Sequence, residues 1–266
     1  MKEGMRSLLF AIFILFSSPA NATVFLEDLT WTELQTKIAF GSSIIIIPIG
    51  GTEQNGPHMA LGKHNARVKF LAEKIALRLG HTIVAPVIAY VPEGEIDPPT
   101  GHMKFPGTIT ISEATFNQML ESAAKSFKHA GFNTIVFIGD HGSYQSNETA
   151  VAVKLNKQWK ATGVRAFAAL EFYTLAQQPY FDALLKSGLR KTEIGTHAAL
   201  ADTALQLATV PNMVRQEKLE LSGSYSALEG VYGGNPKNAT AELGQLGVDL
   251  IVDGTVSAIR NFLNHP

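Results

Sequence analysis

Five of the eight histidines in this 266-residue chain lie in polar segments punctuated by glycine or proline. They are His58, His64, His102, His141 and His197. Imidazole is the commonest metal ligand in proteins and the usual general acid or base near neutral pH. The sequence therefore predicts either a metal site or a binding cleft in which histidines make hydrogen bonds.

The composition limits what this chemistry can be. The chain has no cysteine, which excludes disulfides, iron–sulfur clusters, thiolate zinc sites and a cysteine nucleophile. A metal ion would have to be held by His, Asp, Glu or neutral oxygen and nitrogen ligands. The net charge of −1 argues against a nucleic-acid partner, because nucleic-acid binders normally carry a basic excess.

The elements that position these residues alternate between strand and helix. The run from Ser43 to Pro48 is β-branched and continuous, as in a strand buried on both faces. Further strands are expected at 82–88, 133–139 and 164–170, and helices at 65–79, 112–130, 146–162, 196–208 and 245–263. This alternation predicts one α/β domain with a mostly parallel sheet flanked by helices on both faces. Function in such folds lies at the carboxyl ends of strands, which here precede the loops 53–65 and 140–147.

The N-terminal segment is predicted to be a signal peptide, residues 1–22. Lys2 and Arg6 precede an apolar run over 8–16, and Ala20-Asn21-Ala22 has the small-x-small pattern of a cleavage site. The apolar run is shorter than the roughly 20 residues of a membrane span. We therefore expect cleavage after Ala22, a mature domain of residues 23–266, a periplasmic or secreted location, and no membrane association after cleavage.

Several motifs resemble those of the creatininase (creatinine amidohydrolase) family. Ile47 to His64, with Gly51-Thr52-Glu53-Gln54 at its centre, is similar to the family's opening motif. Four later segments are similar in the right order: 102–108, 139–143, 197–203 and 230–244. The resemblance spans nearly the whole mature chain. It implies the creatininase-like α/β/α sandwich, metal-dependent hydrolysis of non-peptide, often cyclic, amides, and a homo-oligomer, typically a hexamer.

The resemblance also implies a ligand set. The first ion of two-metal members would map to Glu53, His64 and His141, and the second to Asn55, His64 and Ser143. Asn and Ser are poor ligands for a transition metal, and His64 stands where the family has a bridging Asp. Neutral imidazole has one free lone pair and cannot bridge two ions. The sequence thus predicts one divalent ion held by Glu53, His64 and His141, with zinc expected first and manganese or iron as alternatives.

The resemblance also implies the roles of the water and of His197. A water with its pKa lowered by the ion to about 7 would attack the amide, and His197 would donate a proton to the leaving nitrogen. From its spacing, Asp202 is expected to hold the His197 ring. Asp140 stands where the family has Gly and inherits no role, but beside His141 it is expected to orient a ligand histidine, act as a base or serve as a fourth ligand. The other candidates, for substrate binding or for support of the site, are Asn55, His58, His102, Ser143 and Tyr144.

Two alternatives stay open on the sequence. One is a catalytically inactive periplasmic protein of the same fold that binds a small molecule. The other keeps two metal ions, with Asp140 or His58 recruited as replacement ligands. The expected partner is a small-molecule amide, and creatinine itself is not favoured because the departures from the family motif lie among the metal ligands.

Overall fold

A computed structural model of the chain describes residues 23–221 and 225–265. The predicted signal peptide lies outside the described residues. Within the part described, no helix combines the length and the apolar character needed to cross a bilayer.

The sheet has four strands, all parallel, in the order β2-β1-β3-β4. They are β1 (Ile44–Ile49), β2 (Thr82–Val84), β3 (Thr134–Gly139) and β4 (Arg165–Ala168). Every residue of the central strands β1 and β3 is buried, as the continuous apolar runs predict. Strand β2 is shorter than the predicted 82–88, because Pro86 has no N–H to donate to the neighbouring strand. After Pro86, an isolated bridge pairs Ile88 with Ile49 of β1.

Ten α-helices surround the sheet in the described residues. They are α1 (Trp31–Ala39), α2 (Lys63–Leu79), α3 (Glu113–Ala130), α4 (Gln145–Trp159), α5 (Glu171–Leu175), α6 (Gln178–Lys186), α7 (Lys191–Ile194), α8 (Leu200–Thr209), α9 (Gln216–Leu219) and α10 (Ala241–Asn264). Their ends follow local chemistry. Helix α3, for example, is capped by the Ser112 side chain and stops at Gly131, which has a φ of 111°.

The two faces of the sheet carry separate apolar cores. Side chains alternate along a strand, so Ile44 and Ile46 pack with helices α2, α8 and α10, while Ile45 and Ile47 pack with α3 and α4. Helices therefore cover both faces, and the predicted α/β/α arrangement is confirmed.

The start of helix α2 differs from the prediction. The sequence predicts a start at residue 65, with Asn65 as a possible cap, but the helix begins at Lys63, with Gly62 at the N-cap position. Asn65 Oδ1 instead accepts a hydrogen bond from the Gly51 amide at 3.0 Å. A Cβ at Gly50 would lie 2.1 Å from Asn65 Oδ1 and 2.8 Å from its Cα, so only glycine permits this approach. The first turn of α2 is thereby held against the loop that follows β1.

Candidate active site

The site forms where the chain leaves the carboxyl ends of β1 and β3. The loop after β1 supplies Glu53, the first turn of α2 supplies His64, and the loop after β3 supplies Asp140 and His141. These are the two loops to which the strand-end rule pointed. His197, just before α8, joins them, and so does His102 from the long connection between β2 and α3.

Glu53 lies at the centre of four imidazole rings. Its Oε1 is 2.8 Å from Nε2 of His64 and 3.6 Å from Nδ1 of His197. Its Oε2 is 3.3 Å from Nε2 of His102 and 3.4 Å from Nε2 of His141. Burial works to raise the pKa of the fully buried Glu53 carboxyl, but the His64 hydrogen bond and the charges of His64, His141 and His197 outweigh it and hold the pKa below its usual range.

His64 is oriented by a carboxylate on its far side. Its Nδ1 lies 2.5 Å from Oδ2 of Asp140. An ionised carboxylate only accepts hydrogen bonds, so Nδ1 donates to Asp140, and Nε2 donates to Glu53 at 2.8 Å; an ion held there would take the place of the proton on Nε2. The predicted role of Asp140 in orienting a ligand histidine therefore fits, with His64 as that histidine.

His141 is oriented by the Ser143 hydroxyl. Ser143 Oγ donates to the Pro92 carbonyl at 2.6 Å, so it accepts from Nδ1 of His141 at 2.9 Å, the shorter of two contacts at this nitrogen; the Ser143 amide N–H also points at it, from 3.3 Å. The lone pair on Nε2 of His141 then faces Glu53. Burial lowers the pKa of His141 to about 4, so the ring is neutral at pH 7, the form that binds metals.

Glu53, His64 and His141 therefore fit a metal ion. One ligand atom from each lies within 4.8 Å of the others. Glu53 Oε2 is buried and has no hydrogen-bond partner within the described chain. Ligand histidines in proteins normally have the other ring nitrogen tied to an acceptor, as both do here. Their role as ligands stays a prediction that this geometry supports.

A second triad, formed by Glu53, His102 and His197, also meets the 4.8 Å limit but fits a metal less well. The Gln54 amide decides this. Its Oε1 accepts a main-chain N–H at 2.9 Å and its Nε2 donates to the Gly230 carbonyl at 3.2 Å. Nε2 of His197 lies 3.0 Å from the same amide nitrogen, but it donates to the main-chain carbonyl of Gln54 and cannot accept, so the other amide hydrogen is left for Nδ1 of His102 at 2.9 Å. His102 then carries its proton on Nε2, pointing at Glu53, and has no lone pair there for an ion.

His197 presents a free lone pair to the cluster. Its Nε2 donates to the Gln54 carbonyl at 2.9 Å, so Nδ1, which faces Glu53, is unprotonated. Burial, helped by the positive charge of Lys63, lowers the pKa of His197 to about 3. The low pKa keeps the ring neutral at pH 7 with a lone pair on Nδ1, and it makes the protonated ring a ready proton donor.

The prediction that Asp202 holds the His197 ring is wrong. Asp202 makes ion pairs with Lys63 and with Arg67, whose Nη1 lies 2.7 Å from Oδ1. It also accepts a hydrogen bond from the Ala198 amide at 2.9 Å. The His197 nitrogens face Gln54 and Glu53 instead, because Asp202 sits in the first turn of α8 and reaches the backbone beside the ring. Ala198 has a φ of 55°, unusual for a residue with a side chain, and Asp202 stabilises that turn.

The family model described as creatinine amidohydrolase matches residues 27–259. The chain belongs to the creatininase family. The resemblance inferred from the motifs is thereby confirmed.

Relatives within the family carry different activities in their names. The creatinine amidohydrolase of Pseudomonas putida is 23% identical over 259 residues, covering 90% of this chain and 97% of that protein. The 3-dehydro-scyllo-inosose hydrolase of Thermotoga maritima is 27% identical over 73% of this chain, which spans only 58% of that protein. The mycofactocin precursor peptide peptidase of Mycolicibacterium smegmatis is 25% identical over 82% of this chain and 85% of that protein.

Solved creatininase structures share the fold. A crystal structure of creatinine amidohydrolase superposes with a TM-score of 0.72 at 21% identity, covering 90% of this chain and 97% of that one. Two others, described as creatininase with Mn and as the Zn-Zn type, give TM-scores of 0.70 and 0.69, each at 21% identity and over 90% of this chain and 98% of theirs.

Three of the residues predicted to bind substrate or support the site are buried in the loops of this family member. Asn55 Nδ2 donates to the Glu53 carbonyl at 2.8 Å. His58 Nε2 lies 2.9 Å from Oγ1 of Thr203. Tyr144 donates to the Gly50 carbonyl at 2.6 Å and accepts from the His141 amide at 3.1 Å. All three support the loops, and none of them lines the cavity that opens beside the Glu53 cluster.

The structure also does not support the alternative in which Asp140 or His58 becomes a ligand of a second ion. Within the described residues, neither Asp140 nor His58 belongs to a cluster of three His, Asp or Glu ligand atoms. Both oxygens of Asp140 are held by Arg67, whose Nε lies 2.9 Å from Oδ2 and 3.2 Å from Oδ1. These bonds also argue against a metal-ligand or base role for Asp140.

Sequence reasoning missed Glu93. Its carboxyl is buried, its Oε2 lies 3.7 Å from Nδ1 of His141, and neither oxygen has a hydrogen-bond partner among the residues described. Burial, with the charge of Glu53, raises its pKa to about 9. In the sequence, Glu93 stands alone between Pro92 and Gly94, and nothing there distinguishes a buried active-site glutamate from an exposed one in a loop.

Lys63 and Arg67 were missed as well, and here the sequence held a signal. Both lie four residues apart on the side of α2 that carries Leu71 and Ile75. Charged residues at helix positions spaced for burial are uncommon unless they are paired, and both of these are paired in the site.

A cavity of about 620 Å³ opens beside the cluster. Its lining includes polar groups of the site, among them Lys63, His64, His102, His141 and His197. It also includes apolar and aromatic side chains, among them Tyr173, Tyr180, Phe181 and Leu205. This size and mixture are typical of a pocket for a small molecule.

Proposed function

We propose that this creatininase-family protein is an exported hydrolase that cleaves an amide C–N bond in a small, non-peptide molecule with the help of one divalent ion. The observation that supports this proposal most directly is the orientation of two histidine rings by hydrogen bonds. His64 and His141 each have Nδ1 held by an acceptor, so both Nε2 atoms and the Glu53 carboxylate converge.

The chain's own residues would divide the reaction among them. A bound ion would supply Lewis acidity that polarises the amide and makes water a better nucleophile. Glu53, His64 and His141 would hold that ion. Nδ1 of His197 would take a proton from the attacking water and return it to the leaving nitrogen. The C–N bond breaks, a C–O bond forms, and the products are a carboxylic acid and an amine; the second water proton stays on the acid until it ionises in solution.

The cavity favours a small substrate over an extended peptide. Its volume of about 620 Å³ falls in the range of pockets that enclose drug-sized molecules. Zinc is our first expectation for the ion and manganese the second, since both occur in the descriptions of creatininase structures with this fold. Cleavage of a peptide, the activity named for the mycofactocin precursor peptide peptidases, would contradict the inference of a small substrate from the cavity volume.

The deciding experiment is the metal content per chain of protein purified without a chelator. We expect one ion in the wild type and in a His129→Ala control, in which an exposed histidine on α3 is removed. We expect none in His64→Ala or Glu53→Gln. Amine release from a panel of linear and cyclic amides would then identify the substrate class.

Other outcomes would change the proposal. Two ions per chain would show that the second site persists with other ligands. No ion, even after zinc or manganese is added, would favour the alternative of a binding protein that does not turn its ligand over.

Location and assembly are part of the same proposal. We expect the mature protein to begin at Thr23, to be recovered in the periplasm or medium, and to form a homo-oligomer, by family resemblance a hexamer. The mass of the mature chain, cell fractionation and light scattering would test these three points.

A further inference from the structure

Lys63 is a buried cation inside the proposed active site. It is the first residue of α2, next to His64, and its side chain is only 1% exposed. It lines the same cavity as His64, His141 and His197. A lysine is rarely buried to this degree without a function or a full set of partners.

The ammonium group has fewer acceptors than donors. Among the described residues its one hydrogen-bond acceptor is Asp202. Lysine has three N–H donors, so two are left without an acceptor in the part of the chain that the structure describes. Asp202 is shared, since it also binds Arg67 and the Ala198 amide. Because an unsatisfied buried donor is costly, these N–H groups require an acceptor in the cavity.

The position of Lys63 is close to the proposed reaction centre. Its neighbour His64 is a proposed ligand, and its partner Asp202 holds the backbone beside His197. The charge of Lys63 also contributes, after burial, to the lowered pKa of His197. Lys63 therefore lines one cavity with the proposed ligand His141 and with His197, close enough for its charge to act on both rings.

We propose that the Lys63 ammonium binds the carbonyl oxygen of the substrate amide and stabilises the negative charge that develops on it. Such a donor strengthens its hydrogen bond as charge builds up, and removing one costs on the order of 10²–10³ in kcat. The step is a hydrogen bond only, with no bond to Lys63 formed or broken. The inference rests on the proposed amide hydrolysis, because it assigns a carbonyl oxygen to this position.

The test uses methylphosphonate, a tetrahedral anion, as the probe of the full-length mature protein. Calorimetric titration would compare wild type, Lys63→Met and Lys186→Met, each loaded with zinc. Lys186 is exposed on α6 and does not line this cavity, so its removal controls for the loss of one positive charge. We expect Lys63→Met to bind methylphosphonate at least tenfold more weakly, and Lys186→Met within about twofold of wild type.

Zinc content separates this inference from the proposed function. One zinc in Lys63→Met together with wild-type methylphosphonate affinity would overturn the inference and leave the metal site standing. If neither wild type nor the variants bind zinc, the proposed metal site is wrong. The same titration on zinc-free protein then still tests whether Lys63 binds the anion. There, a fivefold or greater loss in Lys63→Met supports the anion site, whereas equal affinity, or no binding by wild type, overturns it.

A structural role for Lys63 predicts a different pattern. If it only anchors Asp202, Lys63→Met would lower the melting temperature and leave the affinity of the folded fraction unchanged. Should that variant fail to fold, Lys63→Gln retains N–H donors without the charge. We expect it to bind three- to tenfold more weakly than wild type, and wild-type affinity in Lys63→Gln would contradict the role of the charge.

Discussion

Nδ1 of His64 and Oδ2 of Asp140 lie 2.5 Å apart, although 76 residues separate them in the chain. This contact gives a proposed metal ligand its tautomer and its direction. It also ties the first turn of α2 to the end of β3, so the position of the imidazole depends on two central elements of the fold.

Replacing Asp140 with Asn should weaken zinc binding by about 10–100-fold, the usual effect of losing the carboxylate behind a ligand histidine. Competition with a chelating dye would measure this. The matched control is Asp182→Asn, which changes an exposed side chain on α6 and should bind zinc as wild type does. Unchanged affinity in Asp140→Asn would show that His64 does not need the carboxylate to bind the ion.

His197→Gln should lower kcat by about 10²–10⁴, the range for loss of a general acid–base group. Its zinc content should stay at one per chain, because the ring is proposed to move a proton and not to hold the ion. Steady-state kinetics on an amide identified by the screen, with metal analysis of the same sample, would measure both. Loss of zinc from His197→Gln would instead assign the ion to the triad of Glu53, His102 and His197.

Arg67→Met should destabilise the protein by about 3–5 kcal/mol, because it leaves the buried carboxylates of Asp140 and Asp202 without their common partner. Urea unfolding of the zinc-free protein would measure the change. Arg78 lies on the same helix as Arg67, and Arg78→Met removes an exposed ion pair with Asp253 of α10, so it should cost less than about 1 kcal/mol. Similar costs for the two variants would mean that the buried network contributes little to stability.

His58 should make stability depend on pH. Burial lowers its pKa from 6.5 to about 4, so between these values the unfolded chain binds a proton that the native chain does not. Stability from this residue is therefore present above about pH 6.5 and lost as the pH falls towards 4, by about 3 kcal/mol in total. In zinc-free protein, His58→Gln should lose stability less steeply over this range, by roughly 1 kcal/mol per pH unit. An unchanged slope would show that His58 titrates normally in the native state.

Much of the architecture follows from local sequence. The runs of β-branched residues at β1 and β3, and the helical spacing of apolar residues in α2, determine strand and helix because the period of side-chain burial is a local property. Glycine and proline around the histidines then indicate loops at strand ends, where sites of α/β folds form. Glu53, His64 and His141 could be proposed as ligands for this reason, together with their match to a family motif.

The partners of each side chain were decided by tertiary structure alone. Asp202 was expected to hold His197, but the packing of α8 against α2 brings it to Lys63 and Arg67. Tyr144 was expected near the substrate, but its hydroxyl reaches the carbonyls at the end of β1. Contacts of this kind join residues that are distant in the chain, so their energies depend on how whole elements pack. Sequence determined which residues are available to the site, and the packing of its strands and helices determined what each one touches.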